Sequence, residues 1–174
     1  MTTFVAFLRG VNLGKRQMKM AELKACCESI GLGNVKTIVA SGNVRFETGS
    51  DKGLKDRLES AMLEQFSFPV RLTLRSATEI ETMIASRPFA KVDADADVAL
   101  HVLFADAPLT PTPDFSSLPA HIEVPRIDKR EIYFVAHRLP NGRYTEGLDK
   151  LDKLLPKGAL VTMRNWNTIE KLLT

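Results

Sequence analysis

A chain of 174 residues, 44% hydrophobic and 26% charged, can bury a real core as one domain or two small ones, which excludes a disordered chain. Its net charge of +3 excludes wholesale coating of nucleic acid, yet the charge is uneven: residues 1–88 hold 13 Lys and Arg against 9 Asp and Glu, residues 89–174 hold 11 against 12. A phosphate or a polyanion would therefore be met by the first half.

No segment approaches the ~20 apolar residues that span a membrane, so no membrane partner is expected. The short apolar run Phe4–Leu8 lacks a preceding basic region and does not read as a signal peptide. Cys26 and Cys27 are adjacent and cannot readily bridge each other. Without a disulfide framework or an export signal, the expected compartment is the cytoplasm.

In chain order, Thr3–Leu8 reads as a buried strand rich in Val and Phe. Met20, Leu23, Cys26, Cys27 and Ile30 follow at helical spacing, with Gly31 as the stop. Val35–Val39 and Val44–Glu47 flank Ala40-Ser-Gly-Asn43, which is hairpin chemistry. Leu54, Leu58, Ala61 and Met62 mark a second amphipathic helix, and Pro69 introduces a strand over Val70–Leu74. This β-α-β-β-α-β order is that of a ferredoxin-like unit. One core is expected between sheet and helices, from Phe4, Phe7, Leu23, Cys26, Val39, Phe46, Leu58 and Met62.

A helix over Thr78–Ala85 follows, with Thr78 and Glu81 spaced as a capping box. The polar, acidic stretch Arg87–Asp97 reads as a linker. Beyond it the order recurs: strand Val98–Phe104, a connection with four prolines (108, 111, 113 and 119), strands Ile122–Val124 and Glu131–Ala136, a helix carrying Leu148, Leu151, Leu154 and Leu155, and strand Ala159–Met163. The prolines leave the helix of that connection short or missing. Trp166, Ile169, Leu172 and Leu173 close the chain on one more helix, with Asn167 and Glu170 spaced as N-cap and N3. The fold class is α+β: two ferredoxin-like βαββαβ halves with extra helices and antiparallel sheets, residues 1–88 and a degenerate 89–174. The repeat is one of element order, without convincing residue-level similarity.

In such a unit the loop after the first strand and the hairpin between the second and third lie at one end of the sheet. The loop Arg9–Lys19 and Ser41-Gly-Asn43 should therefore converge. That loop holds Gly10, Asn12 and Gly14 beside Arg9, Lys15, Arg16 and Lys19, with no carboxylate before Glu22. Glycines let backbone approach a ligand, and backbone N–H groups with Arg and Lys are what anions bind. The spacing is not that of a nucleotide-binding P-loop: three residues separate the glycines instead of four, and Arg16 follows Lys15 where Ser or Thr is needed. Arg9 interrupts an apolar strand, where a charge is costly unless paired or near the surface; its bland reading is an ion pair with Glu22 or Glu28. Ser41 and Asn43 read blandly as turn residues, and Trp166 as a packing anchor rather than a stacking platform. His101, His121 and His137 lack metal-ligand spacing, and Asp93, Asp95 and Asp97 lack the glycine and glutamate of a Ca²⁺ loop, so neither a metal nor a tightly held cofactor is expected.

Leu8-Arg-Gly-Val-Asn-Leu-Gly14, Met20-x-x-Leu23, Ser41-Gly-Asn-Val-x-Phe46 and Arg164-Asn-Trp-Asn-Thr168 together resemble a widespread bacterial family catalogued as domain of unknown function 1697. The resemblance covers essentially the whole chain and implies the fold, not an activity. Two positions depart from the family pattern: Lys15 stands where a second glycine is usual after Gly14, and Arg143-Tyr144 where a Ser-Lys pair is common. The reading that results is binding of a small phosphorylated or carboxylated ligand by Arg9, Asn12, Lys15, Ser41 and Asn43, joined by Arg164 and Asn165 if the last helix packs back on the first half. The alternatives are a nucleic-acid-binding module, although the aromatic-rich motif of ferredoxin-like RNA readers is absent, and a small acyl- or phosphoryl-transfer enzyme, for which no general base is identifiable.

Overall fold

The computed structural model describes residues 1–11, 14, 16–38 and 42–174, and the chain divides into two compact units, residues 1–82 with 170–174 and residues 83–169. Each is built on a four-stranded antiparallel sheet, the α+β arrangement of two ferredoxin-like halves. The first contains β1 (Thr2–Arg9), α1 (Met20–Ser29), β2 (Gly33–Ile38), β3 (Asn43–Thr48), α2 (Leu54–Phe66) and β4 (Arg71–Ser76), in the sheet order β2-β3-β1-β4. Successive strand residues point to opposite faces, so Ala6 and Leu8 of β1 meet Val44, Phe46 and Leu72 on the helical side. Leu23, Cys26 and Cys27 of α1 and Leu54, Leu58 and Met62 of α2 complete that core, with Phe4 packed at its margin.

Phe7 corrects the expected core. It is fully buried, but it is paired with Asn43 and Thr73 on the other face of the sheet, one residue out of phase with Ala6 and Leu8. Val39 lies outside the described residues. Residues 170–174 belong with this unit, and the Arg45 guanidinium of β3 donates to the backbone oxygens of Leu172 and Thr174, at 3.1 and 3.2 Å.

The second unit carries β5 (Val98–Ala105), β6 (Ile122–Ile127), β7 (Glu131–His137) and β8 (Val161–Asn165), in the order β6-β7-β5-β8. Its core face is covered by irregular chain. Leu109, Phe115 and Leu118 of the proline-rich connection pack on Leu103, Ile132 and Phe134, as do Leu151 and Leu155. The helix expected around Leu148–Leu155 is a short 3-10 helix, Leu148–Lys153. Leucines at 148, 151 and 154 recur every three residues, the 3-10 period, and Pro156 follows two residues after the last of them. The stretch 87–97 is no free linker either. Phe89 packs edge-on against Tyr133 and Trp166, and Asp97 accepts hydrogen bonds from Tyr144 and Arg138. Those two bonds hold the Asp97 carboxyl below its ordinary pKa and occupy the tyrosine that departs from the family pattern.

Two helix starts are also shifted. The capping box of α3 (Ala77–Ala85) is Ser76 with Glu79, not Thr78 with Glu81: the Glu79 N–H donates to Ser76 Oγ (3.2 Å), and the Ser76 N–H to Glu79 Oε2 (2.7 Å). At α4 (Trp166–Lys171) the capping oxygen belongs to Asn165, whose Oδ1 accepts from the Asn167 N–H at 3.0 Å. These corrections expose a residue-level repeat that element order alone conceals. Leu72-Thr-Leu-Arg-Ser-Ala-Thr-Glu-Ile-Glu81 aligns with Val161-Thr-Met-Arg-Asn-Trp-Asn-Thr-Ile-Glu170, each a last strand running into a capped helix. In both, the arginine Nη1 donates to the preceding carbonyl at 2.9 Å, Arg75 to Leu74 and Arg164 to Met163. In both, a Val-x-Phe on the central strand stands opposite: Val5 and Phe7 face Arg75 and Thr73, Val102 and Phe104 face Arg164 and Thr162.

Leu23 is fully buried, so Leu23→Ala should cost about 2–5 kcal/mol of stability by chemical denaturation. Cys27 is fully buried too; burial first, then Cys26 and Glu28 beside it, push its thiol from 9.0 to about 12. Between those values the unfolded chain loses this proton and the folded one keeps it, so stability contributed here is present below pH 9 and falls as pH rises toward 12. Cys27 should resist a thiol reagent in the native protein and react at once in denaturant. A Cys27→Ala variant should lack its share of the alkaline fall in denaturation midpoint.

Candidate functional site

The end of β1 at Arg9, the start of β3 at Asn43 and the start of β4 at Arg71 share one end of the first sheet, so three connections open from it. Gly42 is bonded to the end of β1, the Leu8 N–H donating to its carbonyl at 2.9 Å. Gly42 has a positive φ of 82°, and a Cβ there would lie 3.2 Å from both Leu8 Cβ and Val11 Cγ2. Only glycine meets both demands, so Gly42 can sit directly against Leu8 and Val11, the first residues of the corner. The third connection is tied in by Arg16. Its Nη1 donates to the Gly10 carbonyl at 3.2 Å, and its guanidinium lies 5.3 Å above the Phe68 ring.

Arg9 ends β1 at this corner, exposed, directly opposite Arg71 of β4 in the antiparallel register. The place of Arg71 beside Arg9 was not legible from sequence; it follows from the register, once β1 and β4 are paired through Leu8 and Leu72. Its side chain is 60% exposed and held through Nε by Glu59 of α2, at 3.4 Å. Glu59 also accepts from the Leu72 N–H at 3.2 Å and lies 4.0 Å from Lys55. Of the carboxylates suggested for Arg9, Glu28 stands against Lys24 at 3.9 Å.

The remaining predicted residues are distributed as follows. Asn12, Lys15 and Ser41 lie outside the described residues. Asn43 is fully buried, and its Nδ2 donates to the Ile38 carbonyl at 3.1 Å, closing the hairpin. Arg164 and Asn165 belong to the second unit. Burial alone lowers Arg164 to about 10, so it remains charged at neutral pH. Asn165 caps α4, and Trp166 is buried against Phe89 and Tyr133 rather than open for stacking. Among the described residues no group of His, Cys, Asp and Glu could hold a metal ion, and no helix is long and apolar enough to cross a membrane.

A family model described as protein of unknown function, DUF1697, matches residues 1–133. The chain belongs to this family. The match takes in all three connections of the corner and both arginines, and stops short of β8 and α4. Among solved structures the chain is similar to the conserved bacterial protein SP0830 from Streptococcus pneumoniae, with 24% identity, 99% of this chain and 96% of that chain covered, and a TM-score of 0.69. At that identity the likeness shows the fold alone. No curated protein matches the chain.

The DUF1697 corner depends on Gly42 for its shape. Gly42→Ala combines left-handed strain with two close contacts and should cost about 1–3 kcal/mol by chemical denaturation.

Proposed function

We propose that the protein binds a small phosphorylated or carboxylated ligand at this corner, through Arg9 with Asn12, Lys15 and Ser41. The observation that supports it is the seating of the hairpin on the glycine loop through Gly42, next to the first charge of β1. Glycine-shaped backbone beside cations suits anions. Asn43 contributes by closing the hairpin, and Asn165 by capping α4, so neither is needed as a contact. The nucleic-acid reading has less support, because no aromatic side chain is fully exposed as a stacking surface and Trp166 is packed away.

Calorimetric titration of nucleotides, sugar phosphates and a short single-stranded RNA, at two salt concentrations, tests this. A discrete site binds the small ligands saturably, and Arg9→Ala weakens them by about 1.5–3 kcal/mol, the scale of a charge-assisted hydrogen bond. RNA binding would instead show a steep salt dependence, its slope falling by about one for each of Lys15, Arg16 and Lys19 removed. Absence of binding by every probe would overturn the proposal.

A further inference from the structure

We infer that the second unit carries a separate binding site, the cleft of about 450 Å³ between residues 108–112 and 127–129, and that it takes a small carboxylate with an apolar body. The inference does not depend on an anion site in the first unit. A cleft of this size falls within the usual range of small-molecule sites, about 300–1,000 Å³. It also opens at the place in the second sheet that the Gly42 corner holds in the first. Leu8 and Ala105 each follow the phenylalanine of a central strand, Phe7 or Phe104. Each donates its N–H to the connection between the next two strands, Leu8 to Gly42 and Ala105 to Arg130. A further backbone bond ties the two walls of the cleft, the Leu109 N–H donating to the Lys129 carbonyl at 2.9 Å. The walls are therefore set before a ligand arrives, and Pro108 adds its fixed φ to one of them.

The lining decides the ligand class. Pro108, Leu109 and Ile127 supply apolar surface, and Ile127 is 39% exposed, a large hydrophobe that an apolar occupant would take out of water. Asp128 offers little to a cation, because Arg126 already grips its carboxylate with two nitrogens, Nε to Oδ1 at 3.1 Å and Nη2 to Oδ2 at 2.8 Å. Lys129 is left as the unpaired charge of the lining among the described residues, and its backbone is fixed by the bond from Leu109. Thr110 and Thr112 add hydroxyls that bond to nothing among the described residues and can donate to an oxygen anion. One cation, two hydroxyls and three apolar side chains match one negative charge on an apolar body. A dianion would find a single cation there, and an ammonium no free carboxylate.

The test is titration of hexanoate, acetate, hexanol and hexylamine into the isotopically labelled full chain, followed through its backbone amide NMR signals. Hexanoate should give saturable shifts at residues 108–112 and 127–129, and acetate and hexanol should each bind about fivefold more weakly or worse. Hexylamine should give no saturable shift there. Lys129→Gln should weaken hexanoate about fivefold, the upper scale of an exposed charge pair, and Ile127→Thr by a similar factor through lost apolar contact. Thermal melting checks the folding of both variants. Non-saturating shifts, shifts confined to the first unit, hexylamine or acetate binding as tightly as hexanoate, or unchanged affinity in either variant would overturn the inference.

Discussion

A strand hydrogen-bonded along both edges and buried on both faces has no room for a charge until it leaves the sheet, and β1 is such a strand. It pairs with β3 on one side and β4 on the other; Ala6 and Leu8 are buried toward the helices, Val5 and Phe7 away from them. The first cation after that run, Arg9, falls at the rim, where three connections gather. Desolvating a guanidinium among these apolar residues would cost several kcal/mol without a partner, so burial of β1 itself drives the charge to the corner. Gly42 then packs on Leu8 and Val11 beside a position that the core has already fixed.

The second unit repeats this plan with different chemistry at the equivalent place. The Ala105 N–H donates to the Arg130 carbonyl at 2.8 Å, the counterpart of Leu8 to Gly42. Its central strand and last strand keep the Val-x-Phe against Thr-x-Arg pairing. What is retained in both units is the buried row beneath the corner; what differs is the surface, basic and glycine-shaped in the first, proline-rich around a cleft of about 450 Å³ between residues 108–112 and 127–129 in the second. The scaffold and the corner chemistry are separable, as expected where function is carried by loops on a rigid sheet.

The order of elements was readable in the sequence because helical and strand periodicities survive in Leu23-Cys26-Cys27 and in Val44-Phe46. Facing was less readable for β1: a continuous apolar run gives no alternation to separate Phe7 from Leu8, since both faces are buried. Helix starts were misplaced because Ser76 and Asn165 are as competent to cap as Thr78 and Asn167, and only where the strand stops decides between them. The repeat escaped for a related reason: few side chains coincide, and Thr73 with Thr162 or Arg75 with Arg164 acquire meaning only as register partners. Of the corner, the converging loops and Arg9 were legible; Arg71 was not, because nothing local distinguishes it from any surface arginine until β4 is laid beside β1.

Glu59 has an effect at the other side of β4. As an outer strand of its sheet, β4 presents backbone N–H groups to solvent, a template on which an extended segment of another chain could dock. The Glu59 carboxylate already fills one of those donors, at Leu72, and holds a charged arginine next to it. The same contact that holds Arg71 therefore occupies part of the border on which a foreign strand would have to pair, so one carboxylate both fixes a side chain and blunts an edge.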